Sequence, residues 1–180
     1  MRKLLLLRHA KSSWDDPRLA DHDRPLNKRG RRAAALVAAA LKAGGAAPDL
    51  ALVSSSLRTR QTWEALAATL DGVPALFEPG LYAAGSGDLL QRLRRLDPRL
   101  GSVLLIGHNP GLETLAHSLA AGTGDRAALE RMAAKFPTAA WAEIHLDLED
   151  WDATAAGRGR LAAFTRPADL DPAQAADGDD

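Results

Sequence analysis

Leu4-Leu5-Leu6-Leu7-Arg8-His9 is the stretch on which the reading of this chain turns. Four successive leucines without alternation fit a strand buried on both faces, as at the centre of a parallel sheet; periodicity alone leaves a buried helical segment open. In open α/β sheets ligands gather outside the carboxyl ends of the strands, so Arg8 and His9 are placed where an anion would sit. An Arg-His pair behind an apolar run is common by chance, so this position needs support from the rest of the chain.

That support comes from repetition. Leu50-Ala51-Leu52-Val53 is a second apolar run and ends in Ser54-Ser55-Ser56, ahead of a helix expected over 57–70 with Arg58 in its first turn. A helix N-terminus favours anions, so the serine-rich entry and Arg58 form a plausible phosphate corner, against the alternative of a solvated arginine. Ala75-Leu76-Phe77 is a weaker third strand. Ser102 to Ile106 is the fourth and leads into Gly107-His108-Asn109-Pro110-Gly111. His108 therefore leaves a buried strand at the same kind of edge as His9, and is expected to face a wet cleft.

Between these strands the pattern predicts helices over 28–42, capped by Asn27 and stopped by Gly44-Gly45, over 88–96, from Gly111 through Leu119, and over 126–134. Arg92, Arg94 and Arg95 look like a solvated face. Strands are expected over 139–146 and 157–165, the last as an edge hairpin partner. Residues 10–26 form a long polar loop around Trp14, and long structureless loops in compact domains are usually functional. The fold class is α/β: one three-layer domain over 1–165 with a mostly parallel central sheet. Residues 166–180, rich in Pro, Ala and Asp, read as a disordered acidic tail.

Composition narrows the chemistry. With 180 residues, 23 Lys+Arg and 23 Asp+Glu, the formal charge is zero, so nucleic acid and membrane surfaces are not expected partners and any anion site must be local. Zero cysteines exclude a thiolate nucleophile and a zinc–cysteine site. No apolar run has the length of a signal or a membrane span, which points to a soluble cytoplasmic protein, expected as a monomer. With cysteine gone, histidine is the reasonable nucleophile, and flanking arginines suit phosphate because their planar forks bind its oxygens bidentately. No cofactor or metal is expected: the five histidines show no metal-binding spacing. Asp21-His22-Asp23 has the Asp-x-Asp spacing of magnesium-dependent phosphatases, but it lies inside a polar loop instead of directly after a buried strand.

These residues together resemble the histidine phosphatase superfamily, the phosphoglycerate mutase-like fold, and within it the short SixA-like phosphohistidine phosphatases. Leu7-Arg8-His9-Ala10 is similar to the family's Arg-His-Gly signature, and Arg24 to Gly30 to the segment entering its first helix. Ser54 to Thr62 is similar to its second-arginine motif, and Gly107-His108-Asn109 to its second histidine. The resemblance implies that His9 is phosphorylated and then hydrolysed, that Arg8 and Arg58 hold the phosphoryl oxygens, and that His108 also contacts the phosphoryl group. Ala10 replaces the usual glycine. Asp15 stands where mutase-like members carry a phosphate-contacting asparagine, so that role is not carried over. Glu78 lies near the point where those members place a proton-donating glutamate, but its flanks differ and a structural role is expected. The resemblance favours a phosphohistidine-carrying protein as substrate. A small-molecule phosphomonoesterase and a non-catalytic phospho-ligand-binding module are the alternatives.

Overall fold

The computed structural model describes residues 1–175. Strand β1 (Arg2–Arg8) lies inside a six-stranded sheet of order β3-β2-β4-β1-β5-β6. It runs parallel to β4 (Ser102–Gly107) and antiparallel to β5 (Trp141–Leu146). Strand β2 (Leu50–Ser54) is parallel to both β4 and β3 (Ala75–Glu78). Strand β6 (Gly159–Thr165) closes the far edge as the antiparallel partner of β5. The chain therefore leaves β1, builds β2 and β3 beyond a gap, and returns to fill that gap with β4.

The leucine run is buried on both faces, as its lack of alternation requires. Leu4 and Leu6 join a core with Leu89 and Leu93 of helix α3 (Ser86–Arg94), with Leu112, Leu115 and Leu119 of α4 (Gly111–Ala120), and with Met132 of α5 (Arg126–Ala134). Leu5 and Leu7 join the opposite core with Val37 and Leu41 of α1 (Lys28–Ala43) and Trp63 and Leu66 of α2 (Leu57–Ala67). Successive side chains on a strand point to opposite faces, so one four-residue run holds both layers of helices to the sheet. Asn27 caps α1 by accepting from Gly30 N at 2.7 Å, and Asp125 caps α5 by accepting from Ala128 N at 2.8 Å.

The loop over 10–26 is braced along its length. Ser12 bridges to Leu26, Ser13 N donates to Pro25 O at 2.7 Å, and Asn27 N donates to Lys11 O at 3.0 Å. Gly30 sits against this loop so closely that a Cβ would lie 2.0 Å from Lys11 O, which explains a glycine inside a helix.

Three expectations are corrected. Residues 166–175 are not an unstructured tail: they form a short helix, α6 (Pro167–Leu170), and a 3-10 turn (Pro172–Ala175) that packs back toward α1, where Arg29 Nη2 donates to Gln174 O. Residues 176–180 of that expected tail lie outside the described residues. Arg92 is not part of a solvated face, because its guanidinium clamps Glu78 through bonds of 2.6–3.1 Å. Strand β5 begins at Trp141 instead of Ala139, because Ala139 adopts φ 59° to donate its N–H to the Arg8 and His9 carbonyls at 3.0 Å. Among the described residues, no helix is long and apolar enough to cross a membrane.

Candidate active site

Arg8 pairs in register with Gly107, and His9 N donates to Gly107 O at 3.1 Å, so the residues following two parallel strands emerge side by side. His9 and His108 meet there with ring centroids 5.1 Å apart. Strand β2, next to β4, ends at the same edge, and α2 begins three residues later with Arg58 in its first turn. The structure thus brings together all four residues singled out in the sequence.

His9 is 8% exposed, and its Nδ1 lies 2.7 Å from Ala10 O. A carbonyl only accepts, so Nδ1 carries the proton and Nε2 keeps its lone pair. Burial, then the nearby His108, Arg58 and Arg8, push the His9 pKa well below 6.5, although the bond to Ala10 opposes this. At neutral pH the ring is uncharged, with one nitrogen available to an electrophile. Thr62 supports this turn by accepting from Ala10 N at 3.0 Å.

His108 does not face a wet cleft. It is 8% exposed, its Nε2 is 2.7 Å from the fully buried Ser54 hydroxyl, and burial followed by Arg58 lowers its pKa to about 4. Arg8 Nη1 donates to Phe136 O at 2.9 Å, which anchors the guanidinium from the start of the segment entering β5. A cavity of about 150 Å³ is lined by Arg8, His9 and Arg58 together with Lys11, Ser12, Trp14, Arg24 and Thr138. Cations and a neutral imidazole around so small a space suit a phosphoryl-sized anion.

Sequence reasoning missed how Arg58 is held. Asp21, from a 3-10 turn (Asp21–Asp23) in the long loop, accepts from Arg58 Nη2 at 2.9 Å, and its carbonyl accepts from Arg58 Nη1 at 2.6 Å. The same carboxylate accepts from the Tyr82 hydroxyl at 2.6 Å and from Arg24 Nη1 at 3.0 Å. The Tyr82 bond, with help from Arg58 and Arg24, holds Asp21 at about 2, while Asp21 pushes the Tyr82 phenol upward. The Tyr82 ring meets both His22 and His108 edge-on, at 4.8 and 5.5 Å. Thirty-seven residues separate Asp21 from Arg58, and no local pattern signals the pair.

The remaining candidates fall outside the cavity. Asp15 is exposed and does not line it. Glu78 is engaged by Arg92. Arg60 donates to Ser55 O at 3.0 Å and lies over the Phe77 ring, away from the histidines.

A doubly wound, mostly parallel sheet with two histidines and two arginines at the carboxyl ends of three adjacent strands defines a protein of the phosphoglycerate mutase-like fold. The model of the histidine phosphatase superfamily (branch 1) matches residues 4–92. An uncharacterised protein of Mycobacterium tuberculosis is 38% identical over 162 residues, covering 89% of this chain and 99% of that protein. Among solved structures, a chain from Agrobacterium tumefaciens assigned as the phosphohistidine phosphatase SixA aligns with TM-score 0.79 and 30% identity, over 92% of this chain and 98% of its own. A protein histidine phosphatase SixA complexed with tungstate aligns with TM-score 0.75 and 27% identity, over 93% and 99%. The chain belongs to the histidine phosphatase superfamily and is SixA-like, a phosphatase by family.

Proposed function

We propose that the chain removes the phosphoryl group from phosphohistidine in a protein, by way of a phosphohistidine intermediate on its own His9. In the first step His9 Nε2 attacks phosphorus and the substrate imidazole leaves with the electron pair of the broken P–N bond. In the second, water attacks the phosphoryl group on His9 Nε2, which releases phosphate and restores the neutral ring. Arg8 and Arg58 hold the equatorial oxygens in both steps, and His108, bonded to Ser54 with its ring 5.1 Å from that of His9, backs the nucleophile from behind the cavity wall. None of these steps calls on a metal.

The observation that carries the choice of substrate is the state of the acidic groups. An alkyl phosphate needs a proton delivered to its leaving oxygen. Asp21, held at about 2, is ionised; His108, at about 4, is neutral; and Glu78 is clamped by Arg92. None is placed to donate. A substrate imidazole protonated on its other nitrogen leaves without such help, so the site favours a P–N over a P–O bond. The test compares kcat/KM on a phosphohistidine protein with a panel of phosphate monoesters, and looks for acid-labile, alkali-stable phosphoenzyme in wild type and His9→Ala. The reading requires a preference for phosphohistidine and loss of both turnover and phosphoenzyme in the variant. A preference for esters would favour the phosphomonoesterase, and wild-type turnover by His9→Ala would remove His9 as nucleophile.

A further inference from the structure

Trp14, in the long loop that follows His9, is set apart from the chain's other tryptophans: it is 66% exposed, whereas Trp63, Trp141 and Trp151 are buried in the two cores. The ring does not lie loose on the surface. The Arg24 guanidinium stacks 3.2 Å from its centroid, and Arg24 is itself buried. Three bonds fix that guanidinium, from Nε to Ser13 O at 2.9 Å, from Nη1 to Asp21 Oδ1 at 3.0 Å and from Nη2 to Ser12 Oγ at 2.5 Å. One face of the indole is therefore occupied and its orientation set, and the exposed area is the other face and the ring edge. A ring held out in water forgoes the stabilisation that burial gives, and neither core gains from this one. Its position relates it to the reaction. Trp14 lines the cavity at His9, and of the described residues around that cavity it alone is exposed, so it marks the mouth, while buried His9 lies at the floor. Displacement at phosphorus runs in line, with the attacking Nε2 of His9 entering on one side and the leaving nitrogen departing on the other. Entry from the floor sends the leaving group toward the mouth.

We infer that Trp14 is a specificity-determining residue, on whose free face the imidazole ring of the substrate phosphohistidine stacks as it leaves. The inference rests on the proposed function and deepens it by naming the group that receives the leaving ring. Stacked aromatic rings attract each other beyond the area they bury, and that gain is open to an imidazole but not to ammonia or an aliphatic alcohol. An indole already oriented by Arg24 also gives up little freedom when the second ring arrives. The braced ring thus adds a source of preference for phosphohistidine that is separate from the ease with which the P–N bond breaks.

The experiment uses the full chain and two substrates that share a P–N bond and differ in the ring: free phosphohistidine, and phosphoramidate, whose leaving group is ammonia. Trp14→Ala should lower the ratio of kcat/KM on phosphohistidine to that on phosphoramidate about tenfold; Trp14→Leu, which keeps bulk without an aromatic face, should lower it nearly as far, and Trp14→Phe should keep most of it. A loosened loop would instead slow both substrates alike, so an unchanged ratio in Trp14→Ala would overturn the proposal and leave the phosphohistidine reading standing. A loss confined to a phosphohistidine protein, with the ratio for the free substrates intact, would make Trp14 a contact for the carrier protein and would equally overturn it. Hydrolysis of phosphate monoesters with neither P–N substrate turned over would overturn both. Binding supplies a readout that a merely structural role would not move. In His9→Ala, free phosphohistidine should shield Trp14, the one exposed tryptophan, from acrylamide quenching more than phosphoramidate does at equal saturation, and equal shielding would take the imidazole off its face.

Discussion

Acidification should destabilise this protein well above the range in which carboxylates protonate, because its fold buries two histidines that resist taking up a proton. His108 sits at about 4 in the folded protein against 6.5 for an ordinary histidine. As pH falls through 6.5 the unfolded chain binds a proton that the folded site refuses until about 4, so stability is full above 6.5 and is lost progressively on the way down. Linkage between those two values gives a loss of about 2 kcal/mol from His108 alone between pH 7 and 5. For a chain of this size that lowers the melting temperature by roughly 4–8 °C. His9, pushed in the same direction, adds to the fall. Asp21 does not enter this window, since a carboxyl held at about 2 stabilises the fold above its ordinary 3.8 and loses that contribution only below it. The assay is thermal unfolding of wild type and His108→Asn at a series of pH values. The variant should start about 1 kcal/mol less stable at pH 7, from the lost bond to buried Ser54, and should show a shallower decline toward pH 5. A flat wild-type profile, or a variant with the wild-type slope, would refute the account of a buried neutral pair.

Other outcomes follow from the same geometry. Arg58→Lys keeps the charge but loses the fork, and kcat/KM should fall by a few tens-fold, about 2 kcal/mol of transition-state stabilisation, while Arg60→Lys changes little; equal effects would return Arg58 to the surface. Asp21→Asn should lower kcat/KM about tenfold by loosening Arg58. It should also bring the Tyr82 phenol back down toward 10, which ultraviolet titration reads directly because the chain has one tyrosine; an unmoved phenol would break the proposed Arg58–Asp21–Tyr82 link. Gly30→Ala drives a Cβ into Lys11 O and should cost about 3 kcal/mol together with activity, since the displaced loop carries Lys11 into the cavity at His9; an unchanged melting temperature would mean that the loop yields freely.

Much of this protein was legible in the sequence because its signals are local. An unbroken leucine run specifies a strand buried on both faces, Asn27 and Gly44-Gly45 mark the ends of a helix, and residues placed just after apolar runs fall at a sheet edge whatever the strand order. That suffices to bring His9, His108, Arg8 and Arg58 to one side of the molecule. Which groups touch was decided by tertiary structure. The insertion of β4 between β1 and β2 places the two imidazoles 5.1 Å apart, and their burial, which depends on every layer around them, keeps both neutral. The Asp21 carboxylate reaches Arg58 and Tyr82 across 37 and 61 residues, and Arg92 reaches Glu78 from another element. Residues 166–175 read as tail in a one-dimensional pattern because they are short and polar; they are ordered by the surface they pack on, and side-chain contacts between distant segments leave no periodicity in the sequence to read.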